Sequence, residues 1–384
     1  MYQKKNLTVF DLYMRLILIM PITTLFQNQI DAINKIVFIA IFLLQIYLLV
    51  KTKMTPNYVL LTLIALVVYV TGLINTTNLK FDNTIVYYIN WIIYSTVILI
   101  NKYRFQEWIL EHEKYVYAIT KLWTLLVAVS IVLPSSYYVK EGGSRYFGSY
   151  CKSIFRLGPT ALFVATLAVI MIGVYKDRKA IFFLLVPLYC GLMGSSRTYL
   201  IVIGLTSIIG LYFFSISRKQ FLQILVPMAL VASVVYSSSS IAQKVAYTKS
   251  DAQYGDFWYR ITSSRSFLWA TIIEHFNRLP LWNKIIGGGY NFSRDLLGHY
   301  AHNDFIEILA THGYSGVLLY LYSIIQLFKN YFENHPRKIL VVSAVTIWLF
   351  NAMFNMFYYY ICAALSFPFL LFAIDWYSNE KEII

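Results

Sequence analysis

The chain has 384 residues, of which 59% are hydrophobic and only 13% are charged, and its formal net charge is +14. Soluble domains contain roughly 25% charged residues, so this composition excludes a soluble globular enzyme, a disordered chain and a collagen-like fibre. It predicts a polytopic membrane protein instead. In such a protein the excess of Lys and Arg has two candidate origins: orientation signals on the cytoplasmic side and anion binding on the outer side.

Apolar segments long enough to cross a bilayer, which takes about 20 residues for a helix, recur along the whole chain. We predict twelve such spans, at residues 12–27, 33–50, 57–75, 84–101, 116–133, 159–175, 180–196, 198–216, 221–237, 311–328, 339–357 and 358–376. No small-residue cleavage site follows the first apolar run, so this run is expected to be a retained span. The predicted fold is a single all-α membrane domain over residues 1–384.

The segments that connect these spans alternate in charge. Five of them are short and basic, as cytoplasmic loops are, and they contain Lys51 and Lys53, Lys102 and Arg104, Lys176 to Lys179, Arg218 and Lys219, and Lys329 to Lys338. Both chain termini are predicted on this cytoplasmic side. The outer face also retains arginines, although short outer loops are normally poor in them, and anion binding is the interpretation that we favour.

Two predicted outer segments, residues 134–158 and 238–301, exceed the length at which a loop is usually functional or disordered. The second, of 64 residues, is expected to contain short amphipathic helices. Residues 264–278 have apolar side chains at helical spacing, and this helix is predicted to lie along the membrane interface. Pro280 is expected to end it, and the three glycines at 287–289 are expected to turn the chain.

His302 lies where an outer helix is predicted to begin, with Asn303 and Glu307 close by in sequence. A neutral imidazole can accept a proton near neutral pH, which suits a general base. The alternative is an ordinary capping or surface histidine. His299 and His302 have a spacing that could bind zinc, but no third ligand follows at a recognised interval. No Asp-X-Asp pair occurs in the chain, and we predict neither a metal nor another cofactor.

Arginines on the predicted outer face are candidates for binding a phosphate group, because a guanidinium offers planar, bidentate donors and keeps its charge. Each of them could instead merely contact lipid headgroups. Arg197 is the strongest candidate, because a charge in a tight turn between two apolar spans is costly without a partner. The others are Arg260 and Arg265 in the long segment, and Arg145 and Arg156 in the shorter one.

Several of these motifs, taken in order, resemble those of the bacterial O-antigen ligase and O-antigen polymerase superfamily. The resemblance is dense over residues 265–318 and consists of Arg265, Trp269, Pro280, the glycines at 287–289, His302-Asn303, Gly313 and Gly316. Ser196-Arg197-Thr198 is similar to the Ser-Arg-Thr of that family, and Arg145 with Gly148 is similar to its Arg-X-X-Gly element. The Pro-Asn that usually follows this element is absent here.

The resemblance implies a metal-independent, membrane-embedded glycosyltransferase of the GT-C type. Its substrate would be a glycan on undecaprenyl pyrophosphate at the outer face of the bacterial cytoplasmic membrane, and its other partners would be membrane lipid and a chain-length regulator, with no nucleic acid. The expected catalytic residues are His302, Arg265 and Arg197, and the expected substrate-binding residues are Arg260, Arg145, Asn303 and Glu307.

Three activities stay open at this stage. A polymerase would transfer the growing glycan onto a lipid-linked repeat unit, and this is the activity we favour. A ligase would transfer the finished glycan onto lipid A-core and shares the fold and motifs. A flippase or other transporter of lipid-linked oligosaccharides would also suit twelve spans, although such proteins tend to show paired halves and charges or broken helices near the membrane midplane.

Overall fold

A computed structural model describes residues 8–53, 72–76, 97–98, 100–139, 145–194, 196–215, 219–227, 265–332, 338–356 and 359–380, with a few isolated positions between them. The bounded helices are α1 Val9–Leu25, α2 Asp31–Lys51, α3 Lys102–Glu111, α4 Glu113–Ile131, α5 Ile154–Gly173, α6 Leu185–Met193, α7 Arg197–Phe214, α8 Arg265–Asn277, α9 Leu281–Ile286, α10 Phe292–Leu297, α11 Asp304–Phe332, α12 Lys338–Phe354 and α13 Ile361–Glu380. The only sheet in these ranges is the antiparallel pair β1 Tyr137–Val139 and β2 Arg145–Phe147.

Six helices in the described ranges are long and apolar enough to cross a membrane: α2, α4, α5, α7, α11 and α13. The prediction of an all-α membrane protein is therefore confirmed. The count of twelve spans is not shown, because the predicted spans 57–75, 84–101 and 221–237 lie largely outside the described residues. Two further apolar helices, α1 and α12, have 17 residues each.

One predicted span differs in form from the expectation. In place of a single helix over 180–196, the chain forms a 3₁₀-helix over Arg178–Leu184 and then the nine-residue α6. The Asp177 side chain starts the 3₁₀-helix by accepting a hydrogen bond from the Lys179 amide at 2.9 Å. The two pieces together rise about 28 Å, since 3₁₀- and α-helices rise about 2.0 and 1.5 Å per residue.

The shorter predicted outer segment, residues 134–158, is more structured than a loop. A 3₁₀-turn at Pro134–Ser136 and the β1–β2 pair precede a second 3₁₀-turn at Ser149–Cys151. Helix α5 then begins at Ile154, five residues before the predicted span, because a left-handed Lys152 reverses the chain and Ser153 is extended. The first turn of α5 therefore carries Phe155 and Arg156.

Helix α5 is the centre of the helix bundle. Every residue from Leu157 to Gly173 is buried, and the helix packs against α1, α6, α7 and α13. Glycine permits the closest of these contacts, since a Cβ on Gly158 would lie 2.2 Å from the ring of Tyr199 on α7. A buried apolar helix at the centre fixes the positions of the helix ends around it.

Polar contacts divide the described helix ends into two sets. At one end, Asn28 contacts the carbonyl of Cys151, and Thr198 contacts that of Phe354. We call this the site end. At the opposite end, the Trp108 indole donates to Asp11 at 2.9 Å, and Lys102 and Asp375 lie 3.6 Å apart. The helices thus form a two-ended bundle, as membrane-spanning helices do.

The long predicted outer segment, residues 238–301, is described from residue 265 onward. The prediction of a helix over 264–278 is confirmed by α8, and a turn of glycines follows α9 as expected. On α8, Ile272 and Phe276 are buried, whereas Phe267 is 60% exposed, because only one side of the helix packs against α11.

Candidate functional site

Arg197 is the first residue of α7 at the site end. Ser196 caps this helix by accepting a hydrogen bond from the Tyr199 amide at 3.4 Å. The next side chain, Thr198, donates from Oγ1 to the Phe354 carbonyl at 3.2 Å. This contact joins the beginning of α7 to the end of α12, and it holds a permanent cation beside the positive end of the α7 dipole, where an anion is favoured.

Arg265 meets the same carbonyl from the long segment. Its Nη1 donates to the Phe354 oxygen, which therefore accepts from both α7 and α8. Burial lowers the pKa of the Arg265 guanidinium, neighbouring Tyr360 and Tyr199 oppose that shift, and the charge of Arg197 lowers the pKa further. The structure therefore brings Arg197 and Arg265 close enough for their charges to interact.

No carboxylate in the described part of the chain lies within ion-pairing distance of Arg265; its acceptor is a neutral carbonyl at the C-terminal end of α12. A helix C-terminus carries a partial negative charge, which offsets only part of a guanidinium charge. An incompletely neutralised guanidinium beside a second one has hydrogen-bond donors and charge of the kind that suits a polyvalent anion. Phosphate and pyrophosphate groups have the oxygen geometry that guanidinium donors match.

His302 lies in the turn that leads into α11. Its backbone φ of +52° is a left-handed value, which is uncommon outside glycine and marks a position held by its surroundings. The imidazole ring is partly buried and stacks on Phe155, with ring centroids 5.8 Å apart and 23° between the planes. Phe155 therefore fixes the histidine at the first turn of α5.

Asn303 and Glu307 shape this turn from within. The Asn303 Oδ1 accepts from the Ile306 amide at 3.2 Å, which caps α11, and the fully buried Glu307 accepts from the Ala301 amide at 2.7 Å. Ala301 is also held through its carbonyl, to which the Trp269 indole donates at 2.7 Å. These contacts hold the backbone on both sides of His302, and Trp269 connects it to the helix that carries Arg265.

Helix α11, which follows the His302 turn, is broken at Gly313. Gly313 has φ +66° and ψ −162°, so the helix divides after His312. The glycine turn satisfies carbonyls near the break: Gly288 donates to Ala310 at 2.8 Å, and Gly289 donates to Thr311 at 3.2 Å. The short N-terminal half of α11 is thereby supported by α9 and the glycine turn, with its first turn beside His302.

A buried polar chain attaches the same half-helix to α12. The fully buried Asp304 carboxylate accepts from the Tyr320 hydroxyl at 2.8 Å, and that hydroxyl accepts from the Trp348 indole at 3.2 Å. Because α12 also ends in Phe354, the same helix contacts the histidine turn through Trp348, and Arg265 and Thr198 through its last carbonyl.

The structure thus brings together three of the predicted catalytic residues around one end of the bundle. Arg265 and Thr198, the neighbour of Arg197, donate to the same Phe354 carbonyl. The turn that carries His302 contacts Trp269 of the Arg265 helix, and His302 itself stacks on Phe155. Arg260 lies outside the described residues, and Arg145 begins β2 but its side chain is likewise not described. No group of three metal-binding side chains is found among the residues that the structure describes.

Sequence reasoning missed two features of this site, the helical position of Arg156 and the Phe354 carbonyl. Arg156 was a candidate anion-binding residue in a predicted loop, whereas it lies in the first turn of α5. An available signal was Ser153, a typical helix N-cap residue, immediately before an apolar run. A backbone carbonyl that acts as an acceptor leaves no signal in a sequence, because any residue type can supply it.

Comparison with known proteins adds no family to this description. The chain matches no protein-family model, and no curated protein sequence matches it. What the fold and the site define is an all-α membrane-embedded protein with arginines and a strained histidine gathered at one end of its helix bundle.

Proposed function

We propose that the chain is a membrane glycosyltransferase that takes its glycan from undecaprenyl pyrophosphate at the outer face of a bacterial cytoplasmic membrane. The observation that carries this proposal is the convergence of Arg197 and Arg265, with His302 held nearby by Phe155. Transfer of a glycan from a pyrophosphate requires charge stabilisation on the leaving group and a base for the acceptor hydroxyl. Arg197 and Arg265 are the candidates for charge stabilisation, and His302 is the candidate base.

In the proposed reaction, His302 accepts the proton of an acceptor hydroxyl while that oxygen attacks the anomeric carbon of the donor sugar. A new glycosidic C–O bond forms, and the C–O bond to the pyrophosphate breaks. Undecaprenyl pyrophosphate departs with the electron pair, and Arg197 and Arg265 stabilise its added negative charge. The guanidiniums supply the positive charge that a divalent cation supplies in other transferases, so no cofactor is required.

Asn303 and Glu307 have a positioning role in this proposal. Both are engaged with the backbone of the turn, through the Ile306 and Ala301 amides. They would fix the direction of the imidazole toward the acceptor hydroxyl, while Arg260 and Arg145 would bind the glycan or the carrier from the outer segments. Apolar helix faces beside the site would accommodate the polyprenyl tail in contact with membrane lipid.

The proposed topology has twelve spans, both termini in the cytoplasm and one long outer segment over 238–301. The two-ended sorting of polar contacts supports it, because Asn28, Thr198 and Phe354 are all expected on the outer side and all lie at the site end. Lys102 and Asp375, expected on the cytoplasmic side, lie together at the opposite end.

Among transferases we favour a surface-polysaccharide polymerase, with an O-antigen ligase as the alternative on the same site. A chain-length regulator would be a further partner of a polymerase. The break at Gly313 favours a third candidate, a transporter of lipid-linked oligosaccharides, because transporters use discontinuous helices. In this chain, however, carbonyls beside the break are bonded by the glycine turn, so they are not available to coordinate a transported group.

Complementation of a strain that lacks the gene tests the proposal. We expect His302→Ala and Arg265→Ala each to abolish the long surface glycan, with the protein still folded in the membrane. The matched control is Arg278→Ala, because Arg278 directly follows α8 and pairs on the surface with Glu274. Full-length glycan from both site variants would contradict the proposed roles.

The phenotype of the deletion distinguishes the two transferases. A strain without a polymerase is expected to carry single repeat units on its surface. A strain without a ligase is expected to accumulate long polymer on the lipid carrier.

A further inference from the structure

Arg156 lies in the first turn of α5, with its neighbour Phe155 stacked on His302 at 5.8 Å. A cation in the first turn of a helix opposes the positive end of the helix dipole. The position of Arg156 is therefore not explained by helix stability. Because it follows Phe155 directly, it is carried by the same turn that fixes the proposed base.

Asn28 holds the Arg156 guanidinium without neutralising it. Arg156 Nη1 donates to Asn28 Oδ1, while Asn28 Nδ2 donates to the Cys151 carbonyl at 2.8 Å. Both halves of the amide are thus in use, which fixes its orientation. The Asp31 carboxylate lies close enough for its charge to interact with that of Arg156, but it is paired with Lys35 at 2.6 Å, and in the described part of the chain no carboxylate lies within ion-pairing distance of Arg156.

Tyr360 lies close enough to both Arg156 and Arg265 for their charges to act on it. Burial raises the pKa of Tyr360, whereas the charges of Arg265 and, more weakly, Arg156 lower it. The tyrosine is therefore within reach of both guanidinium charges. On the same side, the rings of Tyr300 and Tyr359 lie 5.5 Å apart, so the turn before His302 and the segment before α13 meet at this point.

We infer that Arg156, oriented by Asn28, is a third phosphate-binding guanidinium, which takes the phosphoryl group nearest His302 while Arg197 and Arg265 take the other. This inference rests on the proposed function and extends it. A pyrophosphate has two phosphoryl groups, and a site for it gains from donors on both sides. No bond is made or broken at Arg156; it binds and orients the leaving group.

Binding of inorganic pyrophosphate to the purified full-length protein tests the inference by calorimetry. We expect Arg156→Ala to weaken binding about tenfold or more, the effect of losing a charge-assisted hydrogen bond to phosphate. Arg156→Lys retains a charge but not the bidentate geometry, so its affinity for pyrophosphate should fall less than that of Arg156→Ala. Asn28→Ala should bind pyrophosphate about two- to threefold more weakly, because the Arg156 guanidinium remains but is no longer oriented. Arg278→Ala should bind as the unaltered protein does.

The outcomes separate this inference from the proposed function. If Arg265→Ala weakens pyrophosphate binding and Arg156→Ala does not, the inference is wrong and the proposed function stands. If the unaltered protein binds no pyrophosphate, both fail. If Arg156→Ala does not fold, the Lys variant decides: affinity and salt dependence of binding equal to those of the unaltered protein would overturn the inference.

Discussion

Substitution of Gly313 by alanine should disrupt the support of the histidine turn. Gly313 has φ +66° and ψ −162°, a region of backbone conformation that only glycine commonly adopts. A Cβ there would lie 2.5 Å from the Lys284 carbonyl oxygen and 2.6 Å from the Gly287 nitrogen. Both contacts are with backbone, so no side-chain movement can relieve them, and α9 or the glycine turn must shift.

The expected loss of stability follows from three contributions. Backbone strain costs about 1–3 kcal/mol, and overpacking against backbone costs about 1–3 kcal/mol. A shift of the glycine turn also weakens the bonds from Gly288 to Ala310 and from Gly289 to Thr311, each worth about 0.5–1.5 kcal/mol. We therefore expect Gly313→Ala to lower the free energy of unfolding by about 3 kcal/mol or more, and glycan transfer to fall with it.

Thermal unfolding of the detergent-purified protein, followed by tryptophan fluorescence, measures this effect. Gly298→Ala is the matched control, because Gly298 has φ +71° but a Cβ added there would meet no atom within 4 Å. Gly298→Ala should lower the free energy of unfolding by about 1–2 kcal/mol, from backbone strain alone. Gly204→Ala, also in open space, should leave stability unchanged or slightly raised. Equal unfolding temperatures for Gly313→Ala and Gly298→Ala would refute the argument from close backbone contact.

Three further predictions concern the buried polar groups. Glu307→Ala should cost about 1–3 kcal/mol by leaving the Ala301 amide without its acceptor, whereas Glu307→Gln should cost less, and equal losses in denaturant unfolding would contradict this. Tyr320→Phe should cost a similar amount, because Asp304 loses its hydroxyl donor; an unchanged unfolding midpoint would argue against that contact. Burial raises the pKa of the Cys151 thiol to about 11, so little thiolate exists at neutral pH. In a variant with Cys151 as its sole cysteine, maleimide should react slowly until the protein is unfolded, and rapid labelling at neutral pH would exclude this environment.

The sequence was sufficient for the features that depend on local pattern. Apolar composition predicted the membrane class, helical spacing predicted α8, and the three glycines predicted the turn after α9. The separate positions of Arg197, Arg265 and His302 were predicted to belong together, and the structure places them at one end of the bundle. Each of these signals is carried by residues close in sequence or by residue types with a specific chemistry.

Features that depend on packing were not predictable in the same way. The early start of α5 had one sequence signal, the N-cap residue Ser153, but it also depends on a left-handed Lys152, a conformation with little sequence signature. The break at Gly313 lies near the beginning of the predicted span 311–328, where a glycine alone does not indicate a broken helix. The shared carbonyl of Phe354 is a backbone group, and only the packing of α7 and α8 against the end of α12 reveals it.

Incubation of the purified protein with lipid-linked repeat units in detergent, followed by separation of the glycans by size, is the decisive test of the proposed transfer. A polymerase should give a ladder of lengthened glycans, with and without a chelator, that is lost in Arg265→Ala and retained in Arg278→Ala. If no glycosidic bond forms, and if proteoliposomes move labelled lipid-linked units across the membrane instead, the protein is a transporter and the proposed transferase activity is contradicted.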